Sequence, residues 1–562
     1  MKKYLIKISA LVLGLTLTFA CNEDLLEIPQ KGVVDLATYY QNAGPDEAEA
    51  LMVAIYNRYY SNIDGVVQKM FLDILSDDHH AGGGSFNDAA SNFMFAGRLE
   101  GTSSHDNVNG MYNNAYNIIY RANLILERIP ETSDERVNRV KAEADFFRAL
   151  MMFELVRWFG TPPFVDHLLT PEEHNLPNGD HYEIITWCLE RMQAAADVLP
   201  AIAGMGQQRA YGARISKHAA LAYKGKVALW YGTRYNNNEI LAQAVEPLKT
   251  VINSGLYGLL DDMFQIDRVA GDFSKEYIFE HNSEDVTGYA SNQIDLRRQY
   301  VGWRIEHMSI PKDVGQSGWG WAPPSGNFGD FMKEYHGGDI ENQRFKSTIH
   351  TWEQVLDKSY DESVTPGFFR LPLEHGEGYF RYRGLGFTDE KYTELTGTNV
   401  RTKANSYYMR YSEVLLMYAE AKFLTDDADG TGLAALNEVR RRAGIEELPS
   451  MEYQNIKDER RAELWAEGER YFDLVRWGDA ATVLKDKGTK LYSFNGYLID
   501  NYDKDDPVQF AQKRGNVKGG TPGKYEIEIF SGGSGWSNKY ELLPFPYTQL
   551  GANPSLVQNP GW

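Results

Sequence analysis

Cysteine is almost missing from this chain: two occur in 562 residues, Cys21 and Cys188. A disulfide-stapled scaffold is therefore excluded, and stability has to come from a large apolar core. Positive charge is also short, with 57 Lys plus Arg against 78 Asp plus Glu and a formal net charge of −21. Without a basic stripe, nucleic acid is not a partner. Hydrolytic and redox signatures are missing too: there is no G-x-S-x-G, no H-E-x-x-H and no C-x-x-C. GGTPGKY is not a phosphate loop, because Lys518 stands at the first glycine position and Tyr525 at the Ser/Thr position. No cofactor is implied. Long hydrophobic runs are limited to ISALVLGLTLTFA near the start, about a dozen residues and too short to span a bilayer.

That run follows Lys2, Lys3 and Lys7 and ends against Cys21, which predicts an export signal over residues 1–20 and a mature chain starting at Cys21. Ala20–Cys21 resembles a bacterial lipobox, although Thr18 stands where Leu is commoner. Glu23 and Asp24 resemble the signal that sends Bacteroidetes lipoproteins to the outside of the outer membrane. If Cys21 is acylated, no disulfide can form, and Cys188 reads as a small buried hydrophobe.

Beyond the leader, apolar residues recur with helical spacing, and the helices come in pairs. In SKHAALAYKGKVALWYGTRY, Ala219, Tyr223, Val227 and Trp230 share one face, with Ala220, Ala222, Gly225 and Ala228 between them. Small residues let a neighbouring helix approach closely. With the following segment carrying Ala244 and Leu248, the pair resembles a degenerate tetratricopeptide hairpin. Three stretches break the pattern, near 61–110, 258–400 and 481–540, rich in Gly, Asn, Asp, Ser and aromatics. They read as loops with a few short strands, too aromatic for disorder, and as the working surface carried by a helical framework.

Three charged stretches were weighed for chemistry. ERRAELWAEGERYFDLVRWG places Glu459, Glu463 and Glu467 with Arg460, Arg470 and Arg476 on one helix, which reads as i,i+4 charge pairing rather than a catalytic carboxylate pair. DADGTGLAALNE, Asp427 to Glu438, has the oxygen spacing of a calcium loop, but its second half is helical, so it reads as a capped interhelical turn. DDHH, Asp77 to His80, reads as a polar binding loop rather than a metal cluster, since adjacent side chains rarely converge on one ion. No metal is expected.

Taken in order, CNEDLLEIP, YNIIYRANLIL, EADFFRALMMFELVRWFGTPPF, KHAALAYKGKVALWYG, RYSEVLLMYAEA with LNEVRRRAG, ERRAELWAEGERYFDLVRWG and YELLPFPYTQLGANPSLVQNPGW make the chain resemble the SusD/RagB nutrient-uptake lipoproteins of Bacteroidetes. The resemblance implies a mainly α fold, a SusD-like helical scaffold of degenerate tetratricopeptide-type helix pairs with long loop-rich insertions and a few short strands. It implies a signal peptide over 1–20, a lipidated tether over 21–45 and one binding domain over 46–562. It also implies a function: a non-enzymatic, lipid-anchored protein of the outer surface that binds an oligosaccharide or polysaccharide and delivers it, as a lid, to a SusC-like TonB-dependent transporter. Two alternatives remain open, the same lid with peptide cargo and an extracellular glycoside hydrolase.

A sugar-binding surface needs aromatic planes for C–H faces and amides, carboxylates or guanidinium groups for the hydroxyl rim. Ligand residues in the family come from the loop after the first helices and from a mid-chain aromatic loop. In this chain the first supplies Asp77, Asp78, Asn87, Phe93 and Arg98, and the second Tyr289, Arg298, Trp303, Trp319 and Trp321, with Phe86, Asn92 and Tyr300 beside them. In GWGWAPP one indole is expected to anchor the loop and the other to face the ligand; which does which is left open.

Overall fold

The structure is a computed structural model that describes residues 43–60, 66–83, 91–202, 211, 213–283, 297–304, 314, 318–351, 354–355, 373–374, 376–390, 403–498, 521–528 and 535–562. Cys21, Phe86, Asn87 and Tyr289 lie outside them.

The framework is helical. Its N-terminal half carries α1 (Pro45–Arg58), α2 (Val66–Leu75), α3 (Ser91–Arg98), α4 (Asp106–Arg128), α5 (Glu135–Phe159), α6 (His181–Val198), α7 (Lys217–Arg234), α8 (Asn238–Ala242) and α9 (Val245–Asn253). There follow α10 (Arg297–Val301), α11 (Gly326–Tyr335), α12 (Gln343–Thr348), α13 (Tyr411–Thr425), α14 (Thr431–Arg442), α15 (Tyr453–Glu463), α16 (Arg470–Trp477), α17 (Ala480–Val483) and α18 (Tyr547–Ala552). Local chemistry sets many of the starts: Asp134, Asp180 and Ser216 cap α5, α6 and α7 by accepting from backbone N–H groups of the first turn.

The 25-residue α5 runs through the middle of the core and is buried almost continuously from Val140 to Phe159. Ala219, Tyr223, Val227 and Trp230 of α7 are buried, and so are Ala220, Ala222 and Ala228 on its other side. The small residues explain how: a Cβ on Gly225 would sit 2.4 Å from Leu248 Cγ of α9, and one on Gly232 2.5 Å from Leu241 Cβ of α8. Cys188 on α6 is fully buried and its Sγ donates to the Ala149 carbonyl at 3.2 Å, with burial pushing the thiol pKa well up. It therefore behaves as the expected small hydrophobe.

Strands are few among the described residues and pair antiparallel. β1 (Tyr277–His281) pairs with β5 (Ser406–Arg410), β2 (Ile349–Thr351) with β4 (Tyr379–Arg381), and β3 (Leu373–Glu374), β6 (Lys490–Leu498) and β7 (Thr521–Glu528) form a sheet in the order β3-β6-β7. The first insertion is more helical than its composition suggested: α2 and α3 lie within it, because Met70, Phe71, Ile74, Leu75, Phe93 and Phe95 carry buried apolar faces.

The charged helix near 459–476 corrects the sequence reading. It is two helices, α15 and α16, separated by a turn with Ala466 at φ 64° and Gly468 at φ 81°. Its charges are buried and pair across elements instead of along one helix. Glu463 accepts from Arg442 at 2.5 Å and Arg410 at 2.9 Å, Arg344 meets Glu459 at 2.5 Å, and Arg476 grips both oxygens of Glu420 at 2.5 and 2.7 Å. Removing one partner of such a pair leaves an uncompensated charge in the core, at a cost of about 3–5 kcal/mol. The network therefore ties α13, α14, α15, α16 and β5 into one block.

The Asp427 turn is a cap. Asp427 accepts from the N–H groups of Gly432 and Leu433 at 2.7 and 3.0 Å, and Asp429 accepts from Thr431 and pairs with Lys422 at 3.1 Å.

Candidate functional site

Two chain segments far apart in sequence are zipped together by backbone hydrogen bonds. Helix α10 is short, so its last carbonyls find no partner within the helix. The segment Gly318–Trp321 supplies donors: Trp319 N–H bonds to Gln299 O at 2.8 Å, Trp321 N–H to Tyr300 O at 2.8 Å, Gly320 N–H to Gly302 O at 2.9 Å and Gly318 N–H to Trp303 O at 2.7 Å. On its other side the same segment meets the first insertion, through Ala322 N–H to Ala81 O at 3.1 Å, Gly83 N–H to Gly320 O at 2.9 Å, His80 N–H to Pro323 O at 3.1 Å and Ser325 N–H to Asp78 O at 2.9 Å.

The glycines of GWGW are what allow this approach. A Cβ on Gly318 would fall 2.3 Å from Gly302 Cα, and one on Gly82, at φ 80°, 2.2 Å from Gly320 O. With backbone on both sides there is nothing flexible to give way.

Held in this way, the large rings gather. Tyr300 lies 4.7 Å from Trp319 and 5.0 Å from Trp321 between centroids, and the two indoles are 4.8 Å apart at 69°. Trp321 sits edge-on to buried Phe93 at 4.9 Å, whereas Trp319 keeps 40% of its surface exposed. Of the two indoles in GWGWAPP, Trp321 is half-buried and packs on Phe93, and Trp319 is the more exposed. Tyr300, half-buried, is shared by both indoles. The Arg304 stem lies across Gly320, its Cγ 3.2 Å from where a Cβ would project, placing a cationic side chain beside the rings.

Other residues expected to touch ligand support this surface from beneath. Phe93 is 1% exposed, Arg298 0% and Trp303 5%, so none presents a face to solvent. Arg298 donates to Leu385 O at 2.7 Å, and the Trp303 indole N–H donates to Arg381 O at 2.8 Å. Arg98, half-buried at the end of α3, has its pKa lowered by burial.

Asp77 and Asp78 are turned away from the rings into ion pairs. Arg461 Nη2 reaches Asp78 Oδ1 at 2.6 Å and Asp77 Oδ2 at 3.0 Å, while Arg470 Nε reaches Asp77 Oδ1 at 2.9 Å. Burial alone would raise the Asp77 carboxyl, but the Arg470 and Arg461 charges outweigh it and hold the group well below the usual range. The rest of DDHH diverges: His79 stacks on Trp465 at 4.7 Å and His80 Nε2 meets Glu377 at 2.7 Å. Among the described residues no cluster of His, Cys, Asp and Glu has the makings of a metal site.

Sequence reasoning missed Arg461 and Arg470, which fix the first insertion from nearly four hundred residues away. No local signal marks them, since buried and exposed arginines look alike in sequence. Gly302 and Gly82 were equally silent individually, although their clustering near GWGW was visible.

An exposed indole, a tyrosine and the Arg304 stem on a helical frame make a surface of the kind that ligand-binding proteins carry. Comparison with known proteins agrees. A family model described as "SusD family" matches residues 371–562, and another, "Starch-binding associating with outer membrane", matches residues 45–229. Over these two segments, each about a third of the chain, the sequence is similar to SusD-type proteins.

It is 24% identical to a SusD-like protein of Bacteroides ovatus over 96% of this chain and 95% of that one. It is 27% identical to SusD-like protein P2 of Formosa agariphila over 67% of this chain and 73% of that one. Among solved structures, a laminarin-binding SusD-like protein matches with TM-score 0.69 and 27% identity over 92% of this chain and 99% of the other. Surface glycan-binding protein A from Bacteroides thetaiotaomicron, in complex with laminarihexaose, shares the fold with TM-score 0.67 at 19% identity, over 92% of this chain and 99% of that one. Among the described residues no helix is long and apolar enough to cross a membrane.

Proposed function

We propose that this protein captures an oligosaccharide or polysaccharide at the cell surface and hands it, as a lid, to a SusC-like TonB-dependent transporter. In this reading residues 1–20 are removed, Cys21 is acylated, residues 21–45 form a tether to the outer membrane, and residues 46–562 are one binding domain. The observation that carries the reading is the Tyr300–Trp319–Trp321 cluster, with Trp319 exposed and Trp321 locked beneath it. An indole plane of this kind covers the apolar C–H face of a sugar ring, while neighbouring polar groups meet its hydroxyls.

The name of the laminarin-binding relative supports laminarin as the first ligand to try. Titration calorimetry of the protein against laminarihexaose, a wider glycan panel and a peptide mixture tests the reading. Binding of a glycan that weakens on Trp319→Ala supports it. Binding only of peptide moves the cargo to the alternative class, and release of shortened glycan would revive the hydrolase.

A further inference from the structure

A second surface, away from the rings just described, has an unusual composition. Segments 107–120 and 542–562 contain no Asp, Glu, Lys or Arg, in a chain where 24% of residues are charged. The fold packs these two charge-free segments against each other. Tyr547 N–H bonds to Ser103 O at 2.8 Å, Thr548 Oγ1 pairs with Asn109 Oδ1 at 3.2 Å, and Gln549 Nε2 donates to Asn113 Oδ1 at 3.1 Å, so α18 lies along the first half of α4.

The segments are not charge-free because they are hidden. Among the described residues large exposed aromatics are few, namely Trp319 at 40%, Tyr182 at 42%, Tyr120 at 55% and Tyr547 at 68%. The two most exposed belong to this surface. Between them Asn113 is exposed and Asn109 and Asn117 are half-buried, one amide per turn on a single helix face. From Asn109 to Tyr120 is about 16 Å of helix, the length of a short oligosaccharide rather than of one sugar.

The Asn113–Gln549 bond uses one oxygen and one nitrogen, which leaves Asn113 Nδ2 as a donor and Gln549 Oε1 as an acceptor, both fixed in orientation. Paired donors and acceptors flanked by phenol rings match the hydroxyl rim and C–H faces of an uncharged sugar chain. A charge-poor face that carries tyrosines also suits a protein partner, and the test below separates the two occupants.

We propose that α4 and α18 form a second glycan-binding strip, which takes a neutral oligosaccharide segment across the Asn113–Gln549 amide pair between Tyr547 and Tyr120, while Asn109 is held within the fold by Thr548 and the His105 carbonyl. The ligand class rests on the function proposed above, but the strip does not use the Trp319 surface. It would hold a second stretch of a long polymer and thereby raise avidity for polysaccharide over short oligosaccharide.

The test uses the intact chain with laminarin and laminarihexaose. Affinity electrophoresis in laminarin gels and calorimetry with the hexasaccharide compare wild type, Trp319→Ala, Tyr120→Ala/Tyr547→Ala and Tyr120→Phe/Tyr547→Phe. Hydrogen exchange with and without laminarin locates the contact. The double alanine variant is expected to lose laminarin affinity by roughly two- to tenfold, to keep hexasaccharide binding at Trp319, and to be rescued by phenylalanine. Peptides from 107–120 and 545–557 should gain protection.

Unchanged laminarin retardation of the double variant, with no protection in those peptides, overturns the strip, and a surface that serves a protein partner would give that result. If Trp319→Ala alone weakens binding, the strip falls and the Trp319 site stands. If only the tyrosine variant weakens it, the strip stands and the Trp319 site falls. If laminarin retards no protein, wild type included, both are rejected for this ligand class.

Discussion

Replacing Trp319 by alanine separates ligand binding from folding more cleanly than any other change at the ring cluster. The indole is 40% exposed, so of the roughly 150–250 Å² that a large aromatic side chain offers, about 60–100 Å² is open to a stacked sugar. At about 25 cal/mol per Å² that area corresponds to ~2 kcal/mol. Allowing for incomplete overlap and for burial on the sugar side, the expected loss is about 1–3 kcal/mol, a factor of roughly 5 to 150 in Kd. Calorimetry with laminarihexaose reads the loss, and thermal unfolding in the same buffer supplies the control, which reads separately the part of the ring's packing on Tyr300 and Trp321 that the variant also loses. Trp321→Ala differs: its packing on Phe93 and Tyr300 is removed, so stability should fall by about 2–4 kcal/mol together with affinity. A Trp319→Ala protein that binds within twofold of wild type and melts normally refutes the assignment of Trp319 as the outward ring.

Gly318→Ala should reduce glycan affinity at least as strongly as Trp319→Ala and should also lower stability by about 1–3 kcal/mol, because its Cβ would meet Gly302 Cα at 2.3 Å and displace the loop that carries both indoles. Wild-type affinity in that variant would mean the loop has room that the structure denies it. Acid stability should depend on Glu420: burial opposes its charge, but Arg476 and Arg460 outweigh burial and bring its carboxyl from 4.5 to about 2. A depressed carboxylate contributes stability above pH 4.5 that is lost as pH falls toward 2, about 3 kcal/mol in all, so the deficit of Glu420→Gln in urea unfolding should be large at pH 7 and shrink below pH 4.5. Asp272 has the opposite sign. Burial first, and Glu280 next to it, raise its carboxyl from 3.8 to about 8 even though the Asn405 N–H bonds to it. Its contribution is complete below pH 3.8 and is lost as pH rises through about 8, so Asp272→Asn should gain stability relative to wild type across that window. A flat difference between pH 4 and pH 8 would contradict the burial argument.

The helical framework was legible because it rests on local rules. Apolar residues at spacings of four, four and three on α7 marked a buried face, and small residues on α7 announced close neighbours, as Gly225 against Leu248 bears out. Charge was less legible. Arg460, Glu463, Glu467 and Arg476 look like a solvated helix surface in sequence, yet they lie in the core, because whether a charge is buried depends on which partners other segments bring to it. The pairing of Asp77 and Asp78 with Arg461 and Arg470 was hidden for the same reason.

By itself the amino-acid sequence determined a large-cored helical scaffold with aromatic-rich insertions and too few cysteines for a stapled core. These properties follow from composition and short-range periodicity. Tertiary structure alone decided which aromatics are surface and which are support. Trp319 lies between Gly318 and Gly320 and Trp321 between Gly320 and Ala322, a local difference that does not say which ring is the more buried. The distinction arises because Phe93, brought in from elsewhere in the chain, packs on Trp321 alone, while Tyr300 touches both rings and Trp319 stays the more exposed.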